Sequence, residues 1–132
     1  MASNRNDEDA QNAGFDRGWS RAMSFPPPPR DAFTPGSFGE FAAVVGFEDV
    51  WNRETLSTRE RRLVVLTILA CFGRDDITEM HMRSALELGD LDAADLDDMA
   101  VTIGAYAGLP RGVAFNALAQ RLLSEPKESG QE

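Results

Sequence analysis

One cysteine, one histidine and one tyrosine are all that this chain of 132 residues has of those three types. The lone cysteine, Cys71, excludes an internal disulfide, and a single thiol in an apolar run fits a reducing, cytoplasmic setting. One histidine and one cysteine, with no carboxylates spaced on the histidine's face, make no metal-ligand set, so no metal is expected. Basic residues are also scarce. The 13 Lys and Arg face 22 Asp and Glu, a formal charge of -9. That excludes nucleic acid and anionic membrane as default partners, since both need a basic footprint. An anionic ligand would need local arginines that overcome the field of the whole molecule. Long apolar runs are missing too. The longest, Leu63 to Phe72, is ten residues, well short of the roughly 20 that span a bilayer. It reads as a buried helix. The polar, acidic start from Met1 to Gln11 has no apolar stretch and is not expected to be a signal peptide. Strand signals are absent, because no period-2 run ends in turn chemistry.

What the chain does have is helical spacing. Residues 1 to about 13 are polar and aperiodic and read as disordered. Phe15 and Trp19, spaced i, i+4, predict a short helix that docks on the body. Pro26 to Pro29 lack amide hydrogens and have fixed φ, so they predict a stiff polyproline II spacer. From Ser37, the residues Phe38, Phe41, Ala42 and Val45 form a helical stripe that Gly46 should end, with Trp51, Asn52 and Arg53 in the loop beyond. Ser57-Thr58-Arg59-Glu60 is a capping box. The helix it opens should run to Phe72, be the most buried, and stop at Gly73. Asp75 should cap the next helix and Gly89 close it. Asp92 caps another, with Leu96, Met99, Ala100, Ile103 and Ala107 as its apolar stripe and Gly108 at its end. Pro110 opens the last helix, which runs to about Leu123. That helix is apolar on more than one side, which predicts burial against another subunit. The fold class is all-α, about five helices. Residues 1–30 are a disordered or loosely docked segment, 31–124 the domain and 125–132 a polar tail.

His81 lies in the segment Ile77 to Gly89. At 100° per residue, Ile77, His81, Ser84 and Leu88 fall at about 0°, 40°, 340° and 20°, one stripe. A side chain able to exchange a proton near neutral pH therefore points inward. It is either a core histidine bonded to a carbonyl or a catalytic one. Glu79 and Arg83 lie about 160° from it and do not share its face.

An ordered series of residues then carries a resemblance. It runs Phe38-Gly39-Glu40-Phe41, Val50-Trp51-Asn52-Arg53, Leu56 to Leu63, Gly73-Arg74, Met80-His81-Met82-Arg83-Ser84-Ala85-Leu86 and Tyr106-Ala107-Gly108-Leu109-Pro110. The series resembles the carboxymuconolactone decarboxylase family, which shares its fold with alkylhydroperoxidase D, over residues 33 to 124. The resemblance implies an all-helical cytoplasmic protein assembled as a homo-oligomer, trimer or hexamer. It implies a lyase of aromatic catabolism that converts 4-carboxymuconolactone to the enol-lactone of 3-oxoadipate without a cofactor. The peroxidase branch carries a Cys-x-x-Cys pair, and a dithiol cycle needs both thiols. Cys71 is alone and reads as a small buried hydrophobe. The chain also departs from the decarboxylases at Pro26 to Pro29, where they have a Val-Leu-Gly segment near the substrate.

The expected substrate is a small anionic lactone, and six residues match its chemistry. With the family in view, His81 is the candidate general acid or base. Arg53 is the fork for a carboxylate, or else a surface ion pair. Trp51 is a pocket wall, an oligomer contact or core. Glu40 could orient Arg53 or His81, or be a solvated helix residue. Arg83 is an anion-binding candidate through a neighbouring subunit. Tyr106 could donate its hydroxyl to the lactone oxygen, or simply pack with its tip in water.

Overall fold

A computed structural model describes residues 2–126; the tail beyond Pro126 lies outside the described residues. Every regular element among them is helical. The α-helices are α1 (Ala2–Ala22), α2 (Phe38–Ala43), α3 (Thr58–Phe72), α4 (Asp75–Glu87), α5 (Ala93–Ala107) and α6 (Leu109–Ser124). Short helical turns occupy Arg30–Ala32, Val44–Asp49 and Val50–Asn52. None of these helices is long and apolar enough to cross a membrane. The chain forms two compact units, which meet in sequence between Arg62 and Leu63, inside α3.

The first unit is built on aromatic residues. Phe15 and Trp19 of α1 pack on Phe47, with ring centroids 6.0 and 4.5 Å apart, and on Phe33 and Phe25, at 5.8 and 5.5 Å. Asn52 ties α1 to the turn that carries Phe47. Its Nδ2 donates to the carbonyls of Gly14 (2.8 Å), Glu48 (2.9 Å) and Phe47 (3.3 Å). Gly18 sits so close to this turn that a Cβ there would lie 1.5 Å from the Phe47 oxygen. The docked pair Phe15 and Trp19 is as the spacing predicts. The helix, however, extends back to Ala2 through residues read as disordered. Helix nucleation is the costly step and each added residue costs little. Burial of Phe15, Trp19 and Ala22 anchors the nucleus, and Ala, Gln, Glu and Arg propagate it toward the N-terminus.

Two further expectations fail in this unit. Gly46 does not end a helix; a wide turn continues through it to Asp49, and Trp51 and Asn52 lie in a helical turn. Glycine stops a helix where a positive φ is needed, as at Gly73 (72°) and Gly89 (78°), and Gly46 is not in that region. The stripe of Phe38, Phe41, Ala42 and Val45 also faces out. Phe38 is 80% exposed, while the buried residue of α2 is Ala43.

The second unit has one apolar core of Leu66 and Ala70 from α3, Met82 and Ala85 from α4, Leu91, Leu96, Met99 and Ile103 from α5 and the turn before it, and Phe115, Ala119 and Leu122 from α6. Gly108, at φ 116°, joins α5 directly to α6. The two helices then approach through glycines: a Cβ on Gly112 would lie 2.8 Å from the Gly104 Cα. The capping box of Ser57 with Glu60 forms as read (3.1 and 2.9 Å), and Asp92 caps α5 as expected; the structure adds that Asp95 bonds back to it, a second box (2.9 Å each way). Asp75 does not cap α4. Arg74 holds that position without a side-chain bond, and Asp75 and Asp76 sit in the first turn, where they oppose the positive end of the helix dipole. Nor is α3 the most buried helix. Val64, Ile68 and Phe72, spaced four apart, form an exposed stripe, with Phe72 78% exposed. Cys71, read as buried, is exposed beside it.

Candidate functional site

His81 is inward, as its spacing requires, with 7% of its surface exposed. The face it belongs to is turned from the expected one. Thr78, His81, Met82, Ser84 and Ala85 are the buried residues of α4, while Leu88 is exposed. The centre of that face is rotated by about 60° from the Ile77 to Leu88 stripe. Met82 and Ala85, on the same buried face of α4, belong to the apolar core.

Arg83 and Glu79, on the other side of α4, are committed to an ion-pair network with α6. Glu79 receives Arg83 (3.1 Å) and Arg121 (2.9 Å), and Arg83 also binds Glu125. Hydrogen bonds from Arg121 hold the Glu79 carboxyl below its ordinary value, and those from Arg83 do the same for Glu125. The Arg83 guanidinium is raised far above its usual range, chiefly by its bond to Glu125. Backbone and side-chain bonds at Ser57 likewise lower Glu60. Each of these acids has a folded value below its unfolded one. Their contribution is therefore present above the ordinary carboxylate value of 4.5 and lost as pH falls through the folded values. Thermal melting across the acid range should show a fall in midpoint below that value, and Glu79→Gln should make the fall shallower. An unchanged acid limb in Glu79→Gln would remove the network from the account.

Tyr106, near the end of α5, is 93% exposed, so its hydroxyl stands in solvent. It is not on the face of His81 within this chain.

The other three candidates lie in the first unit. Arg53 is exposed and forks onto Asp49, at 3.2 and 3.4 Å. Glu40 accepts from the Gly36 amide (3.1 Å) and pairs with Arg30 (3.5 Å). Within this unit, then, Glu40 does not orient Arg53; it closes the start of α2. Trp51 is buried, and the Arg62 guanidinium lies over its ring, 4.6 Å from the centroid. Arg62 also donates to the Arg21 carbonyl at 3.1 Å.

Arg62 had no place among the expected site residues, yet it is fully buried. A buried guanidinium is costly unless it is bonded and stacked, and here it is both. Its spacing carried the signal: Arg62, Leu66 and Ala70, four apart, are all buried. A cleft of about 560 Å³ also opens in the first unit, lined by Glu8, Asp16, Asp31, Glu40, Arg30 and Phe33 among others. Four carboxylates face one guanidinium that is already bound to Glu48 and Glu40. That field repels a dicarboxylate.

Residues 37–121 match the model of the carboxymuconolactone decarboxylase family. The chain belongs to the carboxymuconolactone decarboxylase family. It is also 28% identical over 88 residues to a 4-carboxymuconolactone decarboxylase of Acinetobacter baylyi. That alignment covers 67% of this chain and 65% of the relative. The family match starts at Ser37, the cap of α2, and ends within α6, so α1 and the proline run lie outside it. All six candidate residues lie within it.

Proposed function

We propose that this member of the family is a cofactor-independent decarboxylase of a small carboxylated lactone. The observation that carries the reading is the buried His81 within the family match. Loss of carbon dioxide breaks a carbon–carbon bond and sends the electron pair through a conjugated double bond to the lactone carbonyl as a dienolate. A proton must then reach carbon. His81 holds and moves that proton as general acid or base, the step that side chains of this type accelerate most directly. Arg53 meets a substrate carboxylate by exchanging its contact with Asp49, and Trp51 holds the wall behind it. Glu40 and Arg83 act only by leaving Arg30 and the Glu79–Glu125 network. Tyr106 acts only where a second copy covers it.

The active form in this reading is a homo-oligomer. Exposed Phe38 and Phe41 in the first unit and Val64, Ile68, Phe72 and Val113 in the second are the surfaces to be covered.

The test is to add 4-carboxymuconolactone to the purified protein and follow the loss of its absorbance with carbon dioxide release. Turnover supports the proposal, and an inert protein refutes it. A second reading is a small-ligand binding or assembly protein without chemistry. It is favoured by the pairing of both candidate anion-binding arginines, Arg53 and Arg83, with the chain's own carboxylates. Heat of binding in calorimetry without turnover would select it.

A further inference from the structure

Arg61, in the first turn of α3, has only 9% of its surface exposed. Burying a charge is costly unless an opposite charge or a full set of hydrogen bonds compensates it. Arg30, Arg53, Arg74, Arg83 and Arg121 are less buried, and each faces a carboxylate of the chain. Arg61 does not. Among the described residues its side-chain bond runs from Nη2 to the Arg53 carbonyl, at 3.3 Å. The N–H groups of Nε and Nη1 are left over. No buried side-chain nitrogen among the described residues lacks a partner. These two atoms therefore reach the surface of the fold, at the open edge of a sunken cation.

The turn that Arg61 grips is held by other cations of the same unit. Arg21 donates to the Trp51 carbonyl at 3.3 Å, and the Arg62 guanidinium lies over the Trp51 ring. Three guanidiniums thus converge on Trp51 to Arg53. An anionic ligand needs such a local concentration of positive charge in a chain of formal charge -9. The acidic cleft of this unit is lined by other residues.

We propose that Arg61 is a carboxylate-binding residue. The open edge of its guanidinium takes one carboxylate of a small organic acid through charge-assisted N–H···O bonds. Unlike Arg53, it gives up no carboxylate of the chain to do so. That the acid is the lactone substrate rests on the decarboxylase reading; the site itself does not.

Adipate, an unreactive dicarboxylate, is the probe, and its neutral diamide is the control. Calorimetry on the full chain at fixed ionic strength should show binding of adipate and none of the diamide. Arg61→Met keeps the stem and removes the fork, and should weaken adipate about tenfold. Arg74→Met removes the same charge from an exposed residue and should bind as wild type does. If the protein turns over the lactone, Arg61→Met should raise KM by a similar factor and leave kcat within a few-fold. A wild type that ignores adipate or binds the diamide equally overturns the proposal. So does wild-type affinity in Arg61→Met, or an equal loss in Arg74→Met. Should Arg61→Met not fold, Arg61→Lys decides, because it keeps the charge without the fork. Weakening of about tenfold there supports the proposal, and wild-type affinity refutes it. A protein inert toward the lactone defeats the proposed function and leaves the adipate result standing.

Discussion

Gly18→Ala should cost the protein about 2 kcal/mol or more, although alanine is the better helix former by about 1 kcal/mol. The added Cβ would lie 1.5 Å from the Phe47 oxygen and 2.5 Å from its carbon. Those are backbone atoms, and no rotamer change clears them. To make room, α1 must withdraw from the Val44–Asp49 turn. Withdrawal loosens the Phe47 ring from Phe15 and Trp19, and pulls Asn52 from the Gly14 or the Phe47 carbonyl. Gly14→Ala is the control. Nothing lies within 4 Å of its added Cβ, so it should be neutral or stabilise by up to about 1 kcal/mol. Both tryptophans, Trp19 and Trp51, lie in the first unit, so urea unfolding followed by fluorescence reads it. Equal midpoints for the two variants would mean that the close contact carries no weight.

The two glycines differ only in what surrounds them, and that is the limit of what the residues disclose by themselves. Signals confined to a few residues were legible. Ser57 with Glu60 completes its bonds within one turn, so the spacing alone predicts them, and Asp92 caps its helix by a bond equally local. Gly73, Gly89 and Gly108 mark helix ends because positive φ is a local need. Gly46 carries the same letter without that need, and the backbone runs through it. Tertiary preference was not legible. An apolar stripe shows that a helix has two faces, and says nothing of which partner covers the apolar one. Phe38 with Phe41, and Val64 with Ile68 and Phe72, are such stripes turned to the outside of the single chain.

The site divides the same way. The inward direction of His81 follows from spacing, and the structure keeps it. The partners of the charged candidates do not follow, because a chain with 22 acids and 13 bases offers a carboxylate to each arginine. Arg53 takes Asp49 four residues back, and Arg83 takes Glu79 and the distant Glu125. Arg62 goes the other way. It is buried over Trp51, which a rule that keeps charge outside would not place.

If the family chemistry operates here, His81→Ala should lower kcat by roughly 10²- to 10⁴-fold, the usual contribution of a positioned acid or base. The truncation also opens a space in the buried face of α4, so loss of activity alone would be ambiguous. His81→Gln fills more of that space and keeps a polar tip, yet cannot shuttle a proton. Both variants should therefore lose turnover, while only His81→Ala should lose appreciable stability in denaturation. Their KM should stay within a few-fold of wild type, because the lost interaction belongs to the transition state. Arg53→Ala should show the opposite split, with KM raised and kcat largely kept, if its fork binds a carboxylate equally before and during reaction. A folded His81→Gln with wild-type kcat would remove the imidazole from the chemistry. His81 would then be a core histidine, and the proton would have to come from another group or from water.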